Sequence, residues 1–184
     1  MRRWIVTALG KDQPGIVAGV TKVLFQAGCN LEDSAMTRLE GEFTVMLIFS
    51  GPPRATLESL KRAFESVARR LKLAVHVKPL SSVEARRPRQ RGKSYLISVY
   101  GADQPGIVYR VAEAMAVSRI NITDVETHRS GGSSSRRNPA LYMMLLEVEA
   151  PAGTSLATLK AKLQKLGKKL GVQVSVRPTI TEVL

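Results

Sequence analysis

The hydrophobic pattern changes period several times along the chain. Residues 4–9, Trp4-Ile5-Val6-Thr7-Ala8-Leu9, are mostly β-formers and predict a strand. Ile16, Val17, Val20, Leu24 and Ala27 then recur at the spacing of one helix face, and Gly28 closes that helix. A second strand is expected from about Asn30 and a third over Glu42 to Ser50. Beyond Pro52-Pro53 the residues Leu57, Leu60, Phe64, Val67 and Leu71 are spaced 3, 4, 3 and 4, the clearest helical period in the sequence. Leu73 to Lys78 reads as the closing strand.

The same series then starts again. Gly10-Lys11-Asp12-Gln13-Pro14-Gly15-Ile16-Val17 recurs 91 residues later as Gly101-Ala102-Asp103-Gln104-Pro105-Gly106-Ile107-Val108. The offset of 91 also matches Asn30 to Asn121, Asp33 to Asp124 and Arg38 to Arg129. Further on it becomes 99, pairing Phe43 with Tyr142 and the helical leucines with Leu156, Leu159, Leu163, Leu166 and Leu170. The difference of eight is an insertion in the second copy, at about residues 130–139, where Gly, Ser, Asn and Pro give loop composition.

Strand, helix, strand, strand, helix, strand, used twice, predicts an α+β protein of two ferredoxin-like βαββαβ domains in tandem. Each antiparallel sheet would carry both helices on one face, with strand order 4-1-3-2 and the second strand on an edge. The expected boundaries are 1–80 for the first domain, 81–93 for a basic linker and 94–184 for the second. In the second copy Leu141, Met143 and Leu145 alternate with Tyr142, Met144 and Leu146, so both faces of that strand are apolar and something is expected to cover the second face. Sheet-to-sheet packing in a homo-oligomer is preferred to a fold-over of the 130–139 loop.

Composition narrows the chemistry. The formal charge of +13 makes an acidic partner plausible, but it is spread as +5 over residues 1–80, +4 over 81–93 and +4 over 94–184. Solvated helix faces account for most of it, as with Lys160, Lys162, Lys165, Lys168 and Lys169; Arg86, Arg87, Arg89 and Arg91 crowd the linker. One cysteine, Cys29, excludes an intrachain disulfide, and two distant histidines, His76 and His128, give no zinc set. The longest apolar run is far short of the roughly 20 residues a membrane helix needs, so a cytoplasmic protein without cofactor or metal is expected. Nucleic-acid binding is the rival from another class, because RNA-recognition domains share this fold. Neither Gly41 to Phe49 nor Ala140 to Val148 carries the basic residue, glycine and stacking aromatics that such a strand needs. Catalysis has no support: Cys29 aligns with Ile120 and reads as a small buried hydrophobe, and no nucleophile, base and orienting group can be assembled.

The repeated Asp-Gln-Pro-Gly is the candidate site. Gln13 precedes a proline, which places Pro14 at the first helical position, with Asp12 expected to reach the N–H of Gly15 or a neighbour. The helix start then presents free N–H groups and a positive dipole end, a place suited to a carboxylate. The same residues are also simply a good turn before a good helix start. Asn30 and Asn121 could hold a zwitterion's carboxylate and ammonium, or could equally end their helices in the left-handed region.

Val6-Thr7-Ala8-Leu9-Gly10, Asp12-x-Pro14-Gly15-Ile16-Val17, Gly28-Cys29-Asn30-Leu31-Glu32-Asp33-Ser34 and Gly41-Glu42-Phe43-Thr44 with Ser50-Gly51 resemble ACT domains, in particular those of repressors of the glycine cleavage system. The second copy looks like another ACT domain. The resemblance implies a regulatory module that binds a small amino acid, glycine or serine first, between paired ACT domains. By position, the effector-binding residues it implies are Asp12, Gln13, Gly15, Ile16 and Asn30, and Asp103, Gln104, Gly106, Ile107 and Asn121. It also implies action through a protein partner such as a transcriptional activator, with no DNA-binding domain and no catalysis. The charge and the Arg-rich linker are not part of the family's motif.

Overall fold

The computed structural model describes residues 1–81, 92–131 and 140–179. The chain divides into two compact units, Met1–Arg87 and Pro88–Leu184, and each is described by itself. The first contains β1 (Arg2–Lys11), α1 (Ile16–Gln26), β2 (Asn30–Leu39), β3 (Glu42–Gly51), α2 (Leu57–Leu71) and β4 (Ala74–Leu80). The second repeats this as β5 (Gly92–Ala102), α3 (Ile107–Val117), β6 (Asn121–Ser130), β7 (Leu141–Pro151), α4 (Leu156–Lys169) and β8 (Val172–Pro178). The sheets are ordered β2-β3-β1-β4 and β6-β7-β5-β8, with every pairing antiparallel, so the predicted ferredoxin-like arrangement is what the chain adopts.

One sheet face packs on the helices. Trp4, Val6 and Ala8 of β1 and Phe43, Val45, Leu47 and Phe49 of β3 meet Ile16, Val20 and Leu24 of α1 and Leu60, Phe64 and Val67 of α2. Tyr95, Ile97, Val99, Met144, Leu146 and Val148 meet Ile107, Val111, Met115, Leu159 and Leu163 in the second unit. The period of 2 in the central strands and of 3.6 in the helices are two views of these cores. Thr56 begins α2 with a reciprocal capping box to Ser59, and Ser155 begins α4 with its hydroxyl accepting from Thr158 N.

Several expectations shift. The linker was expected to run to residue 93, but Gly92 and Lys93 already pair with Pro151 and Ala150, because the strand continues while partner backbone is available. Of the expected insertion, Ser130 pairs with Leu141 as the last residue of β6. Residues 82–91 and 132–139 lie outside the described residues. The second face of β7 is not closed over among the described residues: Leu141 and Met143 are exposed and Leu145 is half-buried, on the side of the sheet away from the helices.

Candidate functional site

Helix α1 does not start at Pro14. Its N-cap is Gly15, at φ 94°, and the helix runs from Ile16; Gly106, at φ 95°, does the same for α3. The left-handed cap turns Pro14 and Pro105 into the preceding turn, a conformation only glycine adopts cheaply. A Cβ at either glycine would meet nothing within 4 Å, so it is dihedral angle and not crowding that demands glycine here. Neither helix has a side-chain cap or an acidic residue in its first turn. What remains is an exposed helix start whose first backbone N–H groups have no side-chain partner.

The polar neighbours have other work. Asp12 donates its backbone N–H to Gly41 O at 2.8 Å, and Asp103 donates to Ala140 O at 2.7 Å. Their carboxylates do not turn back to the helix as expected. Arg38, on edge strand β2, reaches the Asp12 carboxylate at 3.3 Å, and Arg129 on β6 reaches Asp103 at 2.7 Å. A guanidinium satisfies a carboxylate better than one backbone N–H, and it leaves the helix donors free. Gln13 donates its side-chain amide to Leu71 O at 2.8 Å, and Gln104 donates to Leu170 O. Each glutamine thereby ties the corner to an orphan carbonyl at the end of the unit's second helix. Ile16 and Ile107 are each 2% exposed and belong to the cores, so only their backbone N–H groups can face a ligand.

Asn30 and Asn121 are not helix caps. The left-handed residues are Gly28, at φ 67°, and Arg119, at φ 54°. Cys29 N donates to Leu24 O and Gly28 N to Phe25 O, matched by Ile120 to Met115 and Arg119 to Ala116, so both helices close in a Schellman motif. The two asparagines are the exposed first residues of β2 and β6, opposite Ser50 and Glu149. Each sits eight residue rows from the end of β1 or β5 where the corner of its own unit begins, on the order of 26 Å along the strands. The fold therefore brings Asp12, Gln13, Gly15 and Ile16 together, and likewise Asp103, Gln104, Gly106 and Ile107, but not the asparagine of the same unit. Immediately after each asparagine the edge strand bulges, between Leu31 and Asp33 and between Ile122 and Asp124.

Arg38 and Arg129 are not among the residues expected at the site; the signal for them was their shared offset of 91. The two corners also differ. Burial, chiefly, and the nearby Asp103 charge push the Tyr142 phenol above its ordinary pKa, against a hydrogen bond from Thr127. The matching positions in the first unit are Phe43 and Met36, which offer no hydroxyl. Burial also raises the half-buried Cys29 thiol, which keeps it protonated and a poor nucleophile. Among the described residues no group of three His, Cys, Asp or Glu side chains could hold a metal ion, and no helix is long and apolar enough to cross a membrane.

Comparison with known proteins decides the family. A model of the ACT domain matches residues 2–78 and again residues 93–177. The chain belongs to the ACT domain family. This tandem ACT protein is 27% identical to the glycine cleavage system transcriptional repressor of Escherichia coli over 173 residues, 94% of this chain and 87% of that one. It is 28% identical to a phosphoserine phosphatase of Streptomyces coelicolor over 173 residues, but there it spans only 39% of the relative. Among solved structures, an unknown protein from Galdieria sulphuraria superposes with a TM-score of 0.76 at 22% identity, covering 97% of this chain and 99% of that one. That likeness shows the fold.

Proposed function

We propose that this tandem ACT protein is an amino-acid-sensing regulator, similar in action to a glycine cleavage system repressor. A small amino acid, glycine or serine first, would place its carboxylate on the free N–H groups at Gly15-Ile16 and Gly106-Ile107. Asn30 and Asn121 would complete the site from a neighbouring ACT domain, since neither can reach the corner of its own unit. The assembly is a homo-oligomer in the cytoplasm, catalyses nothing itself, and acts through a protein partner such as a transcriptional activator. The observation that carries this reading is the uncapped helix start behind a left-handed glycine, built twice in one chain. The similarity to a repressor over 94% of the chain supports it.

Calorimetric titration and thermal unfolding with each of the twenty amino acids test the proposal. Saturation at 100 times Kd adds about 2.7 kcal/mol, worth roughly 5–10 °C in a chain of this size. Replacing both asparagines, Asn30→Ala and Asn121→Ala, should keep the fold and weaken that ligand at least tenfold. No shift with any amino acid at millimolar concentration would remove the sensor reading.

A further inference from the structure

Helix α4 carries Lys160, Lys162, Lys165, Lys168 and Lys169 and not one acidic residue. Helix α2, the same element of the first unit, interleaves Glu58 and Glu65 with Lys61, Arg62, Arg69 and Arg70. All five lysines of α4 are exposed, and none is in an ion pair among the described residues. Lys162 is held in place, donating to Ser118 Oγ at 2.6 Å and to Ala114 O at 3.4 Å near the end of α3. Lys165 stands three residues from Lys162 and Lys168 and four from Lys169, so neighbours on one surface repel with no anion between them.

The outward row of this helix, opposite the buried Leu159, Leu163 and Gly167, reads Ala157, Ala161, Lys165 and Lys169 at intervals of four. Lys160 and Lys168 lie on the row beside it and Lys162 on the other side. Two exposed alanines make a flat stretch over which another helix can come close, and lysines at helical spacing match acidic residues carried at the same spacing on such a helix. A phosphate backbone has no use for the flat stretch, and α4 offers neither an aromatic for base stacking nor an arginine fork.

We infer that the outward face of α4 docks an acidic amphipathic helix of a protein partner. The inference rests on the regulatory reading above, in which the protein acts through such a partner.

The test uses the full chain and a synthetic helical peptide with a leucine seam flanked by glutamates, with a random-sequence DNA duplex as the competing polyanion. Neutralising Lys165→Gln, Lys168→Gln and Lys169→Gln together should weaken the peptide at least tenfold. Removing the same charge from α2, with Lys61→Gln, Arg62→Gln and Arg69→Gln, should weaken it no more than threefold. Equal losses from both triples, or none from α4, would show that the charge acts only in bulk and overturn the inference. A duplex bound more tightly than the peptide and lost in the α4 triple would overturn it too, assigning the face to nucleic acid. Titration of the same proteins with glycine keeps the two proposals apart. The α4 triple should bind glycine like the parent, whereas a parent that binds no amino acid counts against the sensor and leaves the peptide result standing.

Discussion

At the scale of single residues, the corner depends on a backbone conformation and two side-chain ties. Gly15 and Gly106 sit at φ 94° and 95° in open space, so alanine at either position meets strain and no clash. Gly15→Ala and Gly106→Ala should each lower the unfolding free energy by about 1–3 kcal/mol, read from urea midpoints at unchanged m-value. The Asp12–Arg38 pair is exposed and should contribute little to stability; its consequence is that the carboxylate is turned away from the helix start. Cys29 gives a pH-dependent readout. Burial holds its proton more tightly in the folded protein than in the unfolded one. Its contribution to stability is thus intact at neutral pH and lost only as pH climbs past the ordinary thiol value. Alkylation by iodoacetamide should be slower than for free cysteine at neutral pH, with its midpoint displaced upward. A midpoint below the ordinary value would mark an activated thiol.

At the scale of elements, the two copies solve the same helix end differently. The Schellman closure after α1 uses Gly28, whereas the closure after α3 places Arg119 at φ 54°. A side chain there works against the left-handed backbone. Arg119→Gly should therefore stabilise the second unit by about 1 kcal/mol, seen as a higher denaturation midpoint; a lower one would mean that the arginine side chain outweighs its backbone strain. Each copy also brings a cation to the C-terminal end of its first helix, where the dipole favours one. In the first unit an Arg54 nitrogen lies 3.4 Å from where a Gly28 Cβ would stand. In the second, Gly153 replaces that arginine by alignment and Lys162 of α4 supplies the charge, in place of Ala63.

At the scale of the whole molecule, each unit has its own closed set of core residues, one drawn from Trp4 to Val77 and the other from Tyr95 to Val176. We expect fragments 1–81 and 92–179 each to unfold cooperatively when expressed alone, as followed by far-UV circular dichroism and amide dispersion. A fragment without a cooperative transition would show that the units fold only together. The duplication, the βαββαβ order and the core positions were legible in the sequence because each is written in local terms. Hydrophobic period, proline and glycine punctuation and a repeated eight-residue motif lie within a few residues of the structure they specify. The donors at the helix start were legible for the same reason, although the start itself lies two residues later than Pro14 suggests, because a left-handed Gly15 can act as the cap. Pairings between distant residues were decided only by the tertiary structure. Asp12 meets Arg38 across 26 positions and Gln13 meets Leu71 across 58, through strand register and the end of a helix. The same register sends Asn30 to the far end of the sheet from Asp12. No local pattern encodes which side chains a folded sheet brings within reach, because that depends on how far each strand runs, where it bulges and which neighbour lies beside it.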